Sequence, residues 1–189
     1  MARVAIIGFA GGHCTAPLSP ELYARMVARA EAIIRDEFKL DIGAVELVSG
    51  GAAWGDHVAV SLFLLHNPAS LTIYAPCEWN ADTGQFKDNG RGTNWAANPA
   101  RYANHLHTNF AAAASTAPFA DLRSAVALGA TIHAGRGFHA RNTSVANAAT
   151  HMIAFSWGDG AAPDGGGTRD TWTKCSATHK MHVSMASLQ

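Results

Sequence analysis

The feature that most constrains this sequence is an apolar run that stops at paired glycines and resumes as a helical pattern. Between Val48 and Ala59, the run is followed by Ser49, Gly50 and Gly51, and Asp56 precedes the helical part. Glycines let backbone N–H groups approach an anion closely, and the positive end of a following helix favours that anion. The segment is typical of a strand, a phosphate- or ribose-binding turn and a helix, although it matches the dinucleotide fingerprint only in part.

Two other apolar runs also end in glycine-rich loops. The loop residues are Gly8, Gly11 and Gly12 after the run at 3–8, and Gly166, Gly167 and Thr168 after the run at 151–157. A tight turn explains each cluster taken alone. In an open parallel sheet, however, the loops at the carboxyl ends of the strands share one edge, where ligands bind. Three such loops therefore predict one glycine-lined pocket.

Apolar runs alternate with helical patterns along the chain. Ser19 and Pro20 fit the N-cap and first position of a helix whose apolar residues recur up to Ile34. Strands are expected at 3–8, 45–48, 71–75, 151–157 and 181–185, with an edge strand at 130–133, and helices at 54–66, 99–114, 119–129, 141–149 and 168–179. This order predicts an α/β fold, with residues 1–189 forming one Rossmann-like domain whose mostly parallel sheet has helices on both faces.

The segment 77–99 breaks the alternation. Its polar residues and glycines are mixed with Trp79, Phe86 and Trp95, and it contains Arg91. Long irregular loops in compact domains are usually functional. We therefore interpret this segment as a lid over the pocket or as a contact between subunits of an oligomer.

Composition limits the partners and the compartment. Lys and Arg total 14 and Asp and Glu total 14, so no broad field would attract a nucleic-acid polymer or an anionic membrane, and a small molecule is the expected ligand. The three cysteines, Cys14, Cys77 and Cys175, lack a C-x-x-C spacing, and no run of apolar residues is long enough to span a membrane. These features predict a cytoplasmic protein. Only 15% of residues are charged, which favours a homo-oligomer that buries weakly polar surface.

The order of the motifs resembles the SLOG superfamily. The matching motifs are Ser-Gly-Gly-Ala-x-x-Gly-Asp at 49–56, Tyr-x-Pro at 74–76, Arg-Asn at 141–142 and Gly-Gly-Gly-Thr-x-x-Thr at 165–171. That superfamily includes the nucleotide-binding domain of DNA-processing protein A, the lonely-guy phosphoribohydrolases and sensor domains of defence systems. The resemblance covers roughly residues 3–185.

The resemblance implies a nucleotide or a nucleotide-derived ligand. The residues that it places near this ligand are Ser49, Gly50, Gly51 and Asp56 at one part, and Gly166, Gly167 and Thr168 at a phosphate. In the lonely-guy branch, an acid three residues after the threonine promotes cleavage of the N-glycosidic bond. Here that position is Thr171, and Asp170 stands one residue earlier, so the acid is absent or shifted.

Arginines are the candidate phosphate partners because their guanidinium groups bind phosphate in a bidentate way. Arg141 precedes a predicted helix and is the first candidate, and Arg91 is the second because it lies in the predicted lid. Arg136 and Arg169 are further candidates. Each of these side chains has the alternative of a solvated surface position.

Three acids are candidates for contact with the ligand. Asp56 would bind a ribose hydroxyl or cap its own helix, and the cap is the commoner role. Asp170 would polarise a glycosidic bond or stabilise the helix dipole. Glu78 follows a predicted strand end, where a carboxylate within reach of the ligand would serve as an acid or a base.

No cofactor or metal site is predicted. The sequence contains ten histidines, but His105 and His107 are two apart in a helical segment, so their rings point to different faces.

Two functions follow from these patterns. The first is a binding module that senses or sequesters a nucleotide-derived small molecule. The second is a hydrolase that cleaves an N-glycosidic bond, with Glu78 or Asp170 stabilising the transition state. The threonine at position 171 favours binding without rapid turnover.

Overall fold

A six-stranded parallel sheet forms the centre of the molecule, in a computed structural model that describes residues 1–12, 16–92 and 94–189. Cys14 lies outside these residues. The strands in chain order are β1 (Arg3–Gly8), β2 (Glu46–Ser49), β3 (Ser70–Ala75), β4 (Trp79–Asn80), β5 (Gln85–Phe86), β6 (Thr131–Ala134), β7 (His151–Ser156) and β8 (His179–Ser184). The sheet has the order β6-β3-β2-β1-β7-β8, and β4 and β5 form a separate antiparallel hairpin.

The described ranges contain six α-helices between the strands. They are α1 (Pro20–Ala32), α2 (His57–His66), α3 (Pro99–Ala114), α4 (Pro118–Ala127), α5 (Phe138–Ala148) and α6 (Gly166–Lys174). Proline opens α1, α3 and α4, where its missing N–H costs nothing. The predicted N-cap Ser19 accepts a hydrogen bond from the Leu22 N–H at 3.2 Å. None of the helices in the described ranges has the length and hydropathy needed to cross a bilayer.

Both faces of the sheet are covered. In β1, Val4 and Ile6 point into a large apolar cluster with α1, α2, α3 and α4, whereas Ala5 and Ile7 point into a smaller cluster with α5. Successive strand residues face opposite sides, so a strand buried on both faces is apolar throughout. The predicted Rossmann-like α/β fold, with helices on both faces of a parallel sheet, is confirmed.

Several helices have bounds that differ from the predicted ones. The helix predicted from Trp54 begins at His57, because Trp54 has a left-handed backbone with φ of 54°. The helix predicted at 141–149 begins at Phe138, so Arg141 lies in its first turn. The helix predicted to reach His179 ends at Lys174, because the backbone at Cys175 is already extended. The segment 77–99 contains the β4–β5 hairpin.

The strand order leaves a crevice beside β1. From β1 the chain proceeds to β2 on one side, whereas β7 proceeds to β8 on the other side. The connections at the carboxyl ends of β1 and β7 therefore run apart, and ligands of doubly wound sheets bind in such a crevice.

Candidate ligand-binding cleft

A cleft of about 900 Å³ opens at the carboxyl ends of the parallel strands. The loops after β1, β2 and β7 line it, together with residues of α3 and the first turns of α5 and α6. Small-molecule sites usually have volumes of roughly 300–1,000 Å³. The structure thus brings Gly8, Gly50 and Gly166 into one cleft, as the three glycine loops predicted.

Nine of the residues predicted to contact a ligand line this cleft. They are Gly8, Gly12, Gly50, Gly51, Asp56, Arg141, Gly166, Gly167 and Thr168. Seven other candidates are not among its lining residues: Gly11, Ser49, Glu78, Arg91, Arg136, Arg169 and Asp170.

Gly8 and Gly55 hold the cleft together by close backbone contact. A Cβ at Gly55 would lie 2.5 Å from the Cα of Gly8, and a Cβ at Gly8 would lie 2.7 Å from the carbonyl oxygen of Phe155. The Gly55 N–H donates to the carbonyl of Phe9 at 3.0 Å. These glycines allow the loop after β2 to pack on the end of β1, which is a requirement of the fold before any ligand is considered.

A buried ion pair lies beneath the glycine turn. Nη1 of Arg141 is 3.2 Å from Oδ2 of Asp56 and donates to the carbonyl of Gly50 at 2.7 Å. The other carboxylate oxygen of Asp56 accepts the Gly8 N–H at 2.9 Å. The expectation that Asp56 caps its own helix is wrong, because its side chain makes no cap hydrogen bond. The carboxylate instead joins β1 to the first turn of α5.

Burial acts against both charges of this pair. Burial raises the pKa of Asp56, and the Arg141 guanidinium and the N–H groups of Gly8, Ala52 and Gly50 oppose that rise. Burial likewise lowers the pKa of Arg141, and Asp56 opposes it. Nε of Arg141 is buried and has no hydrogen-bond partner within the described residues. One donor of a guanidinium group that lines the cleft is thus left without an acceptor.

Ser49 shapes the turn from below. Its Oγ donates to the carbonyl of Asp56 at 2.9 Å and accepts the Gly51 N–H at 3.1 Å. The side chain is fully buried. Ser49 therefore fixes the conformation of the glycine turn and is not placed to contact a ligand, contrary to its predicted role.

The first turn of α6 faces the cleft with main-chain groups. Gly165, at the N-cap position, supplies no side-chain cap, and Gly166, Gly167 and Thr168 follow as lining residues. Gly166 has φ of +64°, a conformation that favours glycine. The N–H groups of a first helical turn have no partner within the helix and carry partial positive charge.

Asp170 is not among the residues that line the cleft. Its Oδ2 accepts hydrogen bonds from Asn142 at 2.9 Å and from Lys174 at 2.8 Å. Burial disfavours the ionised carboxyl, but these hydrogen bonds outweigh it and lower the pKa of Asp170. The carboxylate links α5 to α6, so the structure does not support its predicted contact with the ligand.

Glu78 and Arg91 also lie away from the cleft. The exposed carboxylate of Glu78 is 3.0 Å from Nζ of Lys87 across the β4–β5 hairpin. Glu78 lies beside Ile132 and Ala134 of the edge strand β6, as its predicted place at a sheet edge required, but it is not among the residues that line the cleft. Arg91 is exposed, and its main-chain N–H donates to Oδ1 of Asn89.

The end of the cleft beside α3 is aromatic. Trp95, Tyr102, His107 and Phe138 line it, and of these the sequence singled out only Trp95, as a residue of the predicted lid. Their spacing gave no signal, because 43 positions separate Trp95 from Phe138 in the chain, and in the fold the Phe138 ring contacts both Trp95 and Tyr102.

His107 is a neutral acceptor at this end. Its Nδ1 is 2.9 Å from the carbonyl of Ala103, so Nδ1 carries the hydrogen and Nε2 carries the lone pair. Burial and the neighbouring His57 lower the pKa of His107 to about 3. Nε2 is buried and has no partner among the described residues. Nowhere in the described ranges do three His, Cys, Asp or Glu side chains cluster as metal ligands.

Comparison with known proteins connects the chain to a viral relative. It is 31% identical over 187 residues to an uncharacterized protein, R261, of Acanthamoeba polyphaga mimivirus, and the match covers 97% of this chain and 96% of the viral protein. The chain belongs to the R261 family. The sequence match to R261 extends over almost the whole domain. No family model matches the sequence, and no solved structure matches it.

Proposed function

We propose that the chain binds a nucleotide or a nucleotide-derived small molecule in the cleft and thereby senses or sequesters it. The observation that carries this proposal is the convergence of three glycine clusters, the third of them in the first turn of α6, on one cleft of about 900 Å³. A Rossmann-like sheet with an anion-binding turn at its switch point is the usual setting for such a ligand. The SLOG-like motif order gives the same expectation.

The two ends of the cleft suit the two ends of a nucleotide. The free N–H groups of Gly166, Gly167 and Thr168 would bind a phosphate. Trp95, Tyr102 and Phe138 would contact a base, because aromatic faces stack on planar heterocycles. The unpartnered Nε2 of His107 would accept a hydrogen bond from an amino group of that base.

Binding is favoured over N-glycosidic hydrolysis by the positions of the acids. Among the described residues, the carboxylates that line the cleft are Asp56 and Asp164. Asp56 is engaged by Arg141 and Gly8. The two acids predicted to act in catalysis, Glu78 and Asp170, are not among the lining residues and are paired with lysines, Lys87 and Lys174.

The lid and the homo-oligomer stay predictions. Trp95 supports the lid, because it belongs to the segment 77–99 and lines the cleft while remaining 45% exposed. Closure of the segment over a bound base would bury this indole. Tryptophan fluorescence during ligand titration and light scattering of the purified chain would test the two predictions separately.

Introducing a negative charge into the first turn of α6 tests the binding proposal. A Cβ at Gly167 would meet its nearest neighbour, Nδ2 of Asn142, at an ordinary 3.5 Å, so Gly167→Ala and Gly167→Asp both fit the fold. We expect calorimetric titration with AMP, ADP, NAD and ADP-ribose to show binding by the native chain. We expect Gly167→Ala to retain this binding and Gly167→Asp to weaken it at least about tenfold, because its carboxylate would repel the phosphate.

The products distinguish the two functions. Mass spectrometry of ligand released by denaturation would show intact nucleotide if the chain sequesters it, and free base if the chain hydrolyses it. Failure of every nucleotide to bind, or equal affinity in Gly167→Asp and Gly167→Ala, would contradict the proposal.

A further inference from the structure

A hydroxyl group and an imidazole meet at the carboxyl ends of β7 and β8. Ser156 is the last residue of β7, lines the cleft and is 6% exposed. Its Oγ lies 2.8 Å from Nε2 of His182 on the neighbouring strand. The parallel register pairs Ala154 with His182 and Ser156 with Ser184, so Ser156 and His182 are diagonal neighbours. The fold itself therefore holds this pair at the wall of the cleft.

The second nitrogen of His182 fixes the position of its hydrogen. Nδ1 is 2.7 Å from the carbonyl oxygen of Gly160, and a carbonyl oxygen only accepts. Nδ1 thus carries the hydrogen, and in the neutral ring Nε2 carries the lone pair that accepts the Ser156 hydroxyl proton. A nucleophile, a base and a group that orients the base are the three parts of an activated serine.

Another hydroxyl–imidazole contact, at the opposite end of β7, lacks these properties. Oγ1 of Thr150 is 3.0 Å from Nδ1 of His151, but it also donates to the carbonyl of Arg3 and accepts the Arg3 N–H. Its proton is therefore engaged by the main chain, and Thr150 does not line the cleft. In the described part of the chain, Oγ of Ser156 has His182 as its hydrogen-bond partner and no other.

We propose that Ser156 is a nucleophile, that His182 is its general base, and that the cleft hydrolyses small carboxylic esters. The first-turn N–H groups of α6 line the same cleft and are suitable donors to the oxyanion that forms during acyl transfer. This activity goes beyond ligand binding and does not require the ligand to be a nucleotide.

The reaction has two halves. Oγ of Ser156 bonds to the acyl carbon while its proton passes to Nε2 of His182. The tetrahedral intermediate then releases the alcohol, which takes that proton as its bond to the acyl carbon breaks. A water molecule attacks the acyl-serine and gives a proton to Nε2. Collapse releases the carboxylic acid, and the proton on Nε2 returns to Oγ of Ser156.

A fluorophosphonate probe tests the nucleophile directly, since it forms a stable bond with activated serines. We expect one adduct on the full chain, which peptide mass spectrometry would locate at Ser156. We expect a burst of nitrophenolate with 4-nitrophenyl acetate. Ser156→Ala should abolish both signals. His182→Asn should slow labelling by at least about 100-fold, because it removes the base but keeps an amide that can donate to Gly160.

Ser144→Ala is the matched control. The Ser144 hydroxyl donates to the carbonyl of Ala140 on α5 and, among the residues that the structure describes, has no imidazole partner and does not line the cleft. This variant should therefore label like the native chain. An adduct at another residue, no adduct on the folded native chain, or native labelling in His182→Asn would overturn the proposal.

Two further measurements keep the Ser156 test decisive if a variant fails to fold. Circular dichroism and thermal unfolding would show whether a silent variant is folded. If Ser156→Ala is unfolded, Ser156→Cys replaces it, and its new thiol should react with iodoacetamide faster than Cys77, whose burial raises its pKa to about 12. Equal or slower reaction would overturn the proposal. Labelling without nucleotide binding would contradict the binding proposal alone, and nucleotide binding without labelling would contradict the Ser156–His182 proposal alone.

Discussion

Two aspartate–arginine pairs in this molecule have similar chemistry and opposite surroundings. Asp56 and Arg141 lie 3.2 Å apart at the base of the cleft, with side chains 5% and 10% exposed. Asp88 and Arg101 lie 2.8 Å apart beside the segment 77–99, with side chains 39% and 45% exposed. The shorter contact is thus the one that water surrounds, and distance alone does not rank the two pairs.

Their environments shift the two carboxyl groups in opposite directions. Burial raises the pKa of Asp56 despite its contact with Arg141. Hydrogen bonds from Asn98, then Arg101 and the Gly90 N–H, lower the pKa of Asp88 to about 2. A buried pair must be complete because an isolated charge has no water to solvate it, whereas an exposed pair is backed by solvent. The cleft pair therefore holds its surroundings in place, and the exposed pair supports one loop.

The largest expected effect comes from removing one cleft partner. Arg141→Met keeps much of the side-chain length but leaves the Asp56 carboxylate buried without its counter-ion. We expect a loss of about 3–5 kcal/mol in the free energy of unfolding, measured by urea denaturation at pH 7. The matched variant Arg101→Met should change the midpoint far less, because water replaces the lost contact with Asp88.

A double variant sharpens this result. Asp56→Asn together with Arg141→Met removes both charges, while the amide oxygen of the introduced asparagine can still accept the Gly8 N–H. We expect the double variant to be more stable than Arg141→Met alone, since no buried charge is left. Equal midpoints for Arg141→Met and Arg101→Met would show that burial does not distinguish the pairs.

A smaller effect is expected from crowding the cleft pair without removing it. A Cβ at Gly50 would lie 2.4 Å from both Nη1 of Arg141 and Oδ2 of Asp56. Gly50→Ala should therefore push the pair apart and cost about 1–3 kcal/mol in urea denaturation. Gly43→Ala is the control, because its Cβ would meet its nearest neighbour, Asp41, at an ordinary 3.5 Å. Similar losses in both variants would indicate a general effect of replacing glycine.

The smallest expected effect is a change in the pH dependence of stability, through Asp88 of the exposed pair. The folded chain lowers the pKa of Asp88 from 3.8 to about 2, so the unfolded chain binds the proton more readily in that interval. The stability that Asp88 contributes is present above pH 3.8 and is lost as the pH falls towards 2. As the pH falls from 3.8 to about 2, the thermal unfolding temperature of Asp88→Asn should thus decrease less than that of the native chain. A steeper decline in Asp88→Asn would contradict the assigned cause.

The fold was largely predictable because its signals are local. The apolar runs at β1, β2 and β7 are buried on both faces, and Ser19 with Pro20 marks the start of α1. The glycine loops were predictable as a group, because parallel strands direct their carboxyl ends to one edge. The position of Glu78 after a strand end did not predict its partner, because its carboxylate lies beside β6 and pairs with Lys87 of the hairpin.

The chemistry of the cleft was not predictable because its partners are distant in the chain. Asp56 and Arg141 are 85 positions apart, and the local pattern suggested a helix cap instead. Ser156 and His182 are 26 positions apart, and their contact depends on the register of β7 with β8. A strand pattern places His182 on one face of β8 but does not reveal which side chain of the neighbouring strand it meets.

The outermost position of β8 has a consequence for the imidazole that it carries. This strand is bonded to β7 on one flank only, and elements with few neighbours detach at a lower free-energy cost than the body of the sheet. When β8 detaches, His182 departs with it while Ser156 stays behind on β7. The reactive fraction of the protein would then equal the fraction with β8 docked, so fast amide hydrogen exchange along this strand would accompany low reactivity at Ser156.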